Sequence, residues 1–309
     1  MTRNVAVVDI GSTSIQITVA EVSADALKIL AKKKHIARLA DELDDQGYLS
    51  STVVEGLINT LKELIETAHR FNATVTITAT ATLRAAKNSQ LIIDRVGLEL
   101  GLSVKLLSGS DEAKLVLSGV LFGHQRLRES NVLAIDVGGG STELVTGIRG
   151  RAATIASVSI GALVAHRNWL GFDSPSSSEV KRTRQRIKRR FRSAFQLSRA
   201  IEIHRLVGTG GTIQRLLRLH HGENLPSIDL NGMPLSLEDL NGCIEKLLRA
   251  KTPEGRRSLP GIDADRADFL LGGALVFSEA ICALGTSGLM VSTSALRTGM
   301  LTMTDSTRL

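Results

Sequence analysis

The chain carries the same turn twice. Asp9-Ile10-Gly11-Ser12-Thr13-Ser14 follows the apolar run at 5–8, and Asp136-Val137-Gly138, then Gly140-Ser141-Thr142, follows the apolar run at 132–135. The two aspartates stand 127 positions apart in a chain of 309 residues, close to half its length. The pattern around each turn repeats as well. In the first half, strands are expected at either side of the turn within 4–22 and at 26–38. A helix over 51–71 follows, because apolar residues recur at helical spacing, with Thr52 and Glu55 at capping-box spacing. A strand at 74–79, a helix at 89–101, a strand at 103–107 and a helix at 109–123 complete the half. The order then restarts. Strands are expected at 132–137, 143–148 and 151–160, helices at 161–170 and 177–199, and a strand at 203–207 that runs through a glycine turn into a helix. Helices at 236–250 and 265–285, a strand at 288–292 and a short last helix close the chain. A repeat of a three-stranded meander followed by βα units predicts a duplicated α/β domain. Two such lobes facing each other set two glycine hairpins on either side of one cleft.

The residues of the second turn point to phosphate. Gly138, Gly139 and Gly140 let the backbone fold back and approach a ligand closely. A strand, a glycine turn and a strand aim several N–H groups at one point, and such a nest binds anions. Ser141 and Thr142 add hydroxyls. Asp136 and Glu143 flank the turn, and two acids beside an anion make sense when a divalent cation lies between them. Taken alone, the stretch also reads as a tight hairpin. The repeat favours a shared cradle made of Gly11, Ser12, Thr13 and Ser14 with Gly138 to Thr142. Gly210, Gly211 and Thr212, at the start of a helix, offer a third set of donors, although helix entry alone accounts for them too.

Eight segments in order resemble those of one known family: "DIGSTSIQI", "ATATLRAAKN", "LLSGSDEAKLVLSGV", "IDVGGGSTEL", "SVSIGALV", "VGTGGT", "LPGIDADRAD" and "STSALRTGM". The chain resembles the exopolyphosphatase and guanosine pentaphosphate phosphohydrolase (Ppx/GppA) family, in its short two-lobe form, within the actin-like ATPase superfamily. The resemblance implies an α/β fold of two actin-like, RNase H-like lobes, each βββαβαβα, with the active site in the cleft between them. It places the lobes at 1–126 and 127–309, with the last helix able to return to the first. It implies removal of terminal phosphate from inorganic polyphosphate, with the alarmone guanosine pentaphosphate (pppGpp) as the alternative substrate. Glu112 matches the general base of the family, and Asp136 and Glu143 match the acids that hold Mg2+, or Mn2+ in its place. Asp9 is the matching acid of the first lobe and joins through water. Arg84 matches an arginine that contacts phosphate; a surface salt bridge is its plainer reading. The acid before Glu112 is shortened to Asp111, and Ala295 stands where the family often has glycine, so Arg297 is assigned a structural or lobe-bridging role outside the site. Dimers are common in the family, which makes a homodimer an expectation.

Eight Lys or Arg lie within 181–192, and the net charge is +7. Lys181, Arg182, Arg186, Arg189 and Arg190 read either as a solvated helix or as a track for the rest of a polyphosphate chain. Nucleic acid is disfavoured, since the chain has a single Tyr and a single Trp and no recognition-helix motif. The seven histidines show no zinc-ligand spacing with cysteine. Two cysteines argue for a reducing compartment. No apolar run reaches the ~20 residues of a membrane span and no signal-peptide pattern opens the chain, so a soluble cytoplasmic protein is expected. A non-catalytic alarmone or nucleotide-binding regulator, or an ATP-driven scaffold, is the reading from another class.

Overall fold

The computed structural model describes residues 2–23, 26–170, 174–222 and 230–303. The first sheet grows from β1 (Arg3–Ile10), whose last six residues are all buried. A strand apolar on both faces needs cover on both faces, and β1 has it. β1 turns into β2 (Ser14–Val22) and β2 into β3 (Leu27–Ile36), both pairings antiparallel. The chain continues through α1 (Ser51–His69), β4 (Thr74–Ala79), α2 (Ala81–Ala85), α3 (Ser89–Leu100) and β5 (Val104–Leu106) to α4 (Gly109–Gly123). The sheet order is β3-β2-β1-β4-β5, with β4 and β5 parallel to β1. α1 buries Val54, Leu57, Ile58, Leu61, Leu64 and Ile65 on one face. Ser50, not Thr52, caps it, by accepting from Val53 N at 3.3 Å.

The second half repeats the plan. β6 (Val132–Val137), β7 (Thr142–Ile148) and β8 (Arg151–Val158) form the meander. Then come α5 (Ala162–Ala165), a π turn at 166–170, α6 (Ser177–Arg190), α7 (Arg192–Arg199), β9 (Arg205–Thr209) and α8 (Gly210–His221). β10 (Pro234–Ser236), α9 (Leu237–Arg249), α10 (Pro253–Arg257), α11 (Leu270–Leu284), β11 (Gly288–Val291) and α12 (Leu296–Met303) finish the chain. The order β8-β7-β6-β9-β11 matches the first sheet, and β10 extends the edge. These are the two lobes that the repeat predicts, in the strand order that the family resemblance implies.

Several elements depart from expectation. The helix expected over 177–199 breaks at Phe191, which leaves helical geometry to bury its ring against Phe195, with centroids 5.5 Å apart. The helix expected from 265 starts at Leu270, because 263–268 forms a turn whose acids bind basic side chains of both lobes. The short α2, β10 and α10 carry too few residues to show a period.

The two halves are laced together. α4 lays Ala113, Val116, Leu117 and Val120 on Val132, Ala134, Val145 and Val207 of the second sheet. α12 lays Met300 and Leu301 on Val5, Val7, Ala20 and Val22 of the first sheet. α4 and α12 touch through glycines: a Cβ on Gly119 would meet Ala295 O at 2.0 Å, and one on Gly299 would meet Leu115 O at 2.0 Å. Among the described residues no helix is long and apolar enough to cross a membrane.

Candidate active site

Each glycine hairpin is closed by the same hydrogen bond. Gly11 N donates to Ser14 O at 3.1 Å, and Gly138 N donates to Ser141 O at 3.0 Å. The strands behind them put Asp9 opposite Gln16 and Asp136 opposite Glu143. The hairpins rest on each other, for a Cβ on Gly139 would lie 2.5 Å from Thr13 Oγ1 and one on Gly140 2.6 Å from Ser12 Oγ. A third turn joins them. Gly210 has φ +87° and passes so close to Asp136 that a Cβ would stand 2.4 Å from its Oδ1, so the position requires glycine twice over.

These turns line one cavity of about 310 Å³ between the lobes, together with Asp9 and Asp136. Of the sequence-derived cradle, Gly11 to Ser14, Gly138 to Ser141, Gly210 and Gly211 line it. Thr142 and Thr212 do not. Their hydroxyls are buried and donate to Ile160 O at 2.7 Å and Val137 O at 3.2 Å. Both side chains hold the hairpin in shape rather than face a ligand.

Glu112 stands on the first turn of α4, where Ser108 and Asp111 form the capping box. Its carboxylate is 5% exposed and accepts from Arg84 Nη1 at 2.5 Å. Arg84 also donates to Leu107 O at 2.7 Å, which fixes its guanidinium. Glu143 is buried and accepts from Ser157 Oγ at 3.0 Å. The four acids lie near enough to feel one another. Burial raises the pKa of Glu112 to about 7, against the pull of Arg84 and with a further push from Asp9 and Asp136. Burial likewise brings Asp136 to about 6, opposed by Arg297. Glu143 rises well above the ordinary range through burial and then the charges of Glu112 and Asp136. Asp9 is raised by burial and pulled back by Arg297.

The cavity wall is basic in ways the motifs do not announce. Lys32, Lys34, Arg215, Arg266 and Arg297 line it. Arg297 bridges α12 to β1, pairing with Asp9 Oδ2 at 3.5 Å as a lobe-bridging residue would, and it also lines the cavity, where the sequence had left it out. Arg266 is 8% exposed, and burial followed by the neighbouring Arg215 lowers its pKa to about 10. Arg215 donates to Gly211 O at 2.8 Å and pairs with Asp263. The segments "LPGIDADRAD" and "STSALRTGM" pointed at two of these arginines without showing which way they face. Lys32 and Lys34 gave no signal, since lysines on an edge strand read as protection against pairing.

The basic helix lies elsewhere. Lys181, Arg182, Arg186, Arg189 and Arg190 are exposed on α6 and do not line the cavity. Arg184 and Lys188 hold the buried Glu279 at 2.6 and 3.3 Å.

The fold is that of the two-lobed actin-like class, with the cavity between its lobes. The chain belongs to the Ppx/GppA phosphatase family, whose model matches residues 18–306. A Haemophilus influenzae protein with a provisional exopolyphosphatase name is 26% identical over 300 residues, covering 97% of this chain and 90% of its own. The guanosine-5′-triphosphate,3′-diphosphate pyrophosphatase of Aeromonas hydrophila is 28% identical over 304 residues, covering 96% of this chain and 58% of its own length. The Aquifex aeolicus Ppx/GppA enzyme superposes with a TM-score of 0.82 at 27% identity, over 98% of this chain and 99% of that one.

A metal fits the acids in a limited way. Among the described residues no three His, Cys, Asp or Glu side chains gather as a metal-binding group. Asp9 Oδ1 is nevertheless buried without a hydrogen-bond partner. Mg2+ typically binds through one or two carboxylates plus phosphate oxygens and water; of the expected acids Asp9 and Asp136 line the cavity, while Glu143 and Glu112, like Arg84, do not.

Proposed function

We propose that the chain is an exopolyphosphatase, which removes the terminal phosphate of inorganic polyphosphate by water attack. The observation that carries this reading is the wall of one cavity. Five cationic side chains and three glycine turns surround a space sized for a phosphate and its neighbours. Backbone amides of the two hairpins and of the Gly210 turn hold the terminal phosphate. Asp136 and Glu143 are the residues that would hold Mg2+, which supplies charge neutralisation on the phosphate oxygens when bound. Glu112 takes the proton of the attacking water as its oxygen bonds to phosphorus. The bridging P–O bond breaks, and the shortened chain leaves with its electrons on oxygen. Arg84 keeps Glu112 in place and draws its pKa down from the higher value that burial alone would impose.

The second reading, pppGpp phosphohydrolase, is favoured by the name of the Aeromonas relative. Phosphate release from long polyphosphate, tripolyphosphate, pppGpp and ATP, measured side by side with Mg2+, separates the two. Turnover of long polyphosphate is the expected result. Turnover of pppGpp alone selects the second reading, and binding of pppGpp without any turnover selects a regulator.

A further inference from the structure

The cavity does not end at the hairpins. It runs on to β3, the outer strand of the first sheet, where Ile29, Lys32 and Lys34 line it. Lys32 and Lys34 share a face because side chains alternate along a strand. Lys32 has no ion pair among the described residues, and Lys34 pairs with Asp265 of the second lobe. Arg266 belongs to the same cavity; its buried Nε has no hydrogen-bond partner. The stretch of cavity beyond the terminal-phosphate cradle thus offers unpaired positive charge, and a carboxylate already sits on part of it.

A substrate that presents one phosphate to the hairpins must send the following ones outward. Each carries negative charge, as Asp265 does. We propose that Lys32 and Lys34 form a second phosphate subsite, for the phosphates behind the terminal one, and that Asp265 occupies Lys34 until substrate replaces it. This rests on the reading of the cleft as a site for phosphate chains. The basic face of α6 is not needed for it.

The test compares tripolyphosphate with long-chain polyphosphate on the full chain. Lys32→Ala and Lys34→Ala each raise KM about fivefold for long-chain polyphosphate and for tripolyphosphate, the size of one modest charge contact, and leave inhibition by inorganic phosphate, which fills the cradle alone, unchanged. Lys32→Arg restores most of the loss. Asp265→Asn lowers KM for the long chain about threefold by freeing Lys34. Equilibrium binding of both polyphosphates to the Glu112→Gln chain gives an arm without turnover. There each lysine removed flattens the slope of log affinity against log salt by about 0.7 for the long chain, by analogy with single-stranded nucleic acids. A run of the same assays with pppGpp shows whether its phosphates use the subsite too. KM values for both polyphosphates that neither lysine changes, or an equal loss of affinity for inorganic phosphate, overturn the proposal. So does an Asp265→Asn variant that weakens long-chain binding as Lys34→Ala does, for the contact is then only a tie between lobes. If the wild-type chain releases phosphate from neither polymer, the exopolyphosphatase reading fails, and the binding arm still decides the subsite.

Discussion

Arg297 Nη1 lies 3.5 Å from Asp9 Oδ2, across 288 positions of sequence. The pair joins the last helix to the first strand and puts a cation beside a buried and a half-buried acid, since Arg297 pulls down the pKa of both Asp9 and Asp136. Charge-assisted hydrogen bonds to a partly buried arginine are among the stronger polar contacts. Arg297→Ala is therefore expected to lower kcat/KM by about tenfold or more. Arg297→Lys should recover part of that. Steady-state kinetics on both variants, with circular dichroism to confirm folding, checks it.

Glu112 must be ionised to take a proton, and its pKa is about 7. For the wild-type chain kcat/KM should rise with pH through that region. Glu112→Gln should lose about 10²–10⁴-fold in turnover and abolish the rise while still binding polyphosphate. Arg84 stabilises the ionised form of Glu112. Arg84→Ala should accordingly move the midpoint of the pH profile upward. A midpoint unmoved by Arg84→Ala would show that another group controls the profile.

The buried acids also set how stability changes with pH. Their folded pKa values lie above the unfolded ones, with Asp136 at about 6 and Glu112 at about 7. Such groups contribute stability that is complete below pH 4 or so. It drains away as pH rises through the folded values, because the unfolded chain gives up its protons first. A divalent cation that binds the ionised acids opposes this loss. Mg2+ should raise Tm by a few degrees at pH 8 and by close to nothing at pH 5. Thermal melts with and without Mg2+ at the two pH values decide it, and an equal gain at both would rule out the acids as the binding groups.

The α4–α12 joint holds Glu112 and Arg297 on opposite helices. Its contact leaves no room for a methyl group, because the obstructing atoms are the backbone carbonyls of Ala295 and Leu115. Gly119→Ala and Gly299→Ala should each cost about 1–3 kcal/mol in stability. Each should also lower kcat by spreading the two helices, an effect that Gly56→Ala on the open side of α1 does not share. Denaturant melts and kinetics on the three variants test it.

Much of the fold was legible because its signals are local and repeated. A continuous apolar run marks β1 and helical spacing marks α1, and the second turn at Asp136 announces the second lobe. Asp136 and the hairpin glycines were legible for the same reason, since they sit in a short motif whose spacing alone brings them near a turn. Glu112 was marked only by the family resemblance, because an acid at a helix start is ordinary. Phe191 was not legible as a break, since its departure from helix is driven by the packing of its ring on Phe195.

The amino-acid order by itself determined the duplication, the place of each glycine turn and the acids at the strand ends. These depend on neighbours a few residues away. Only the tertiary structure decided which basic residues join them. Arg297, Arg266, Lys32 and Lys34 reach one cavity because two sheets and two packed helices bring three distant segments together. The direction of a side chain across such distances depends on packing, and no period in the sequence records it.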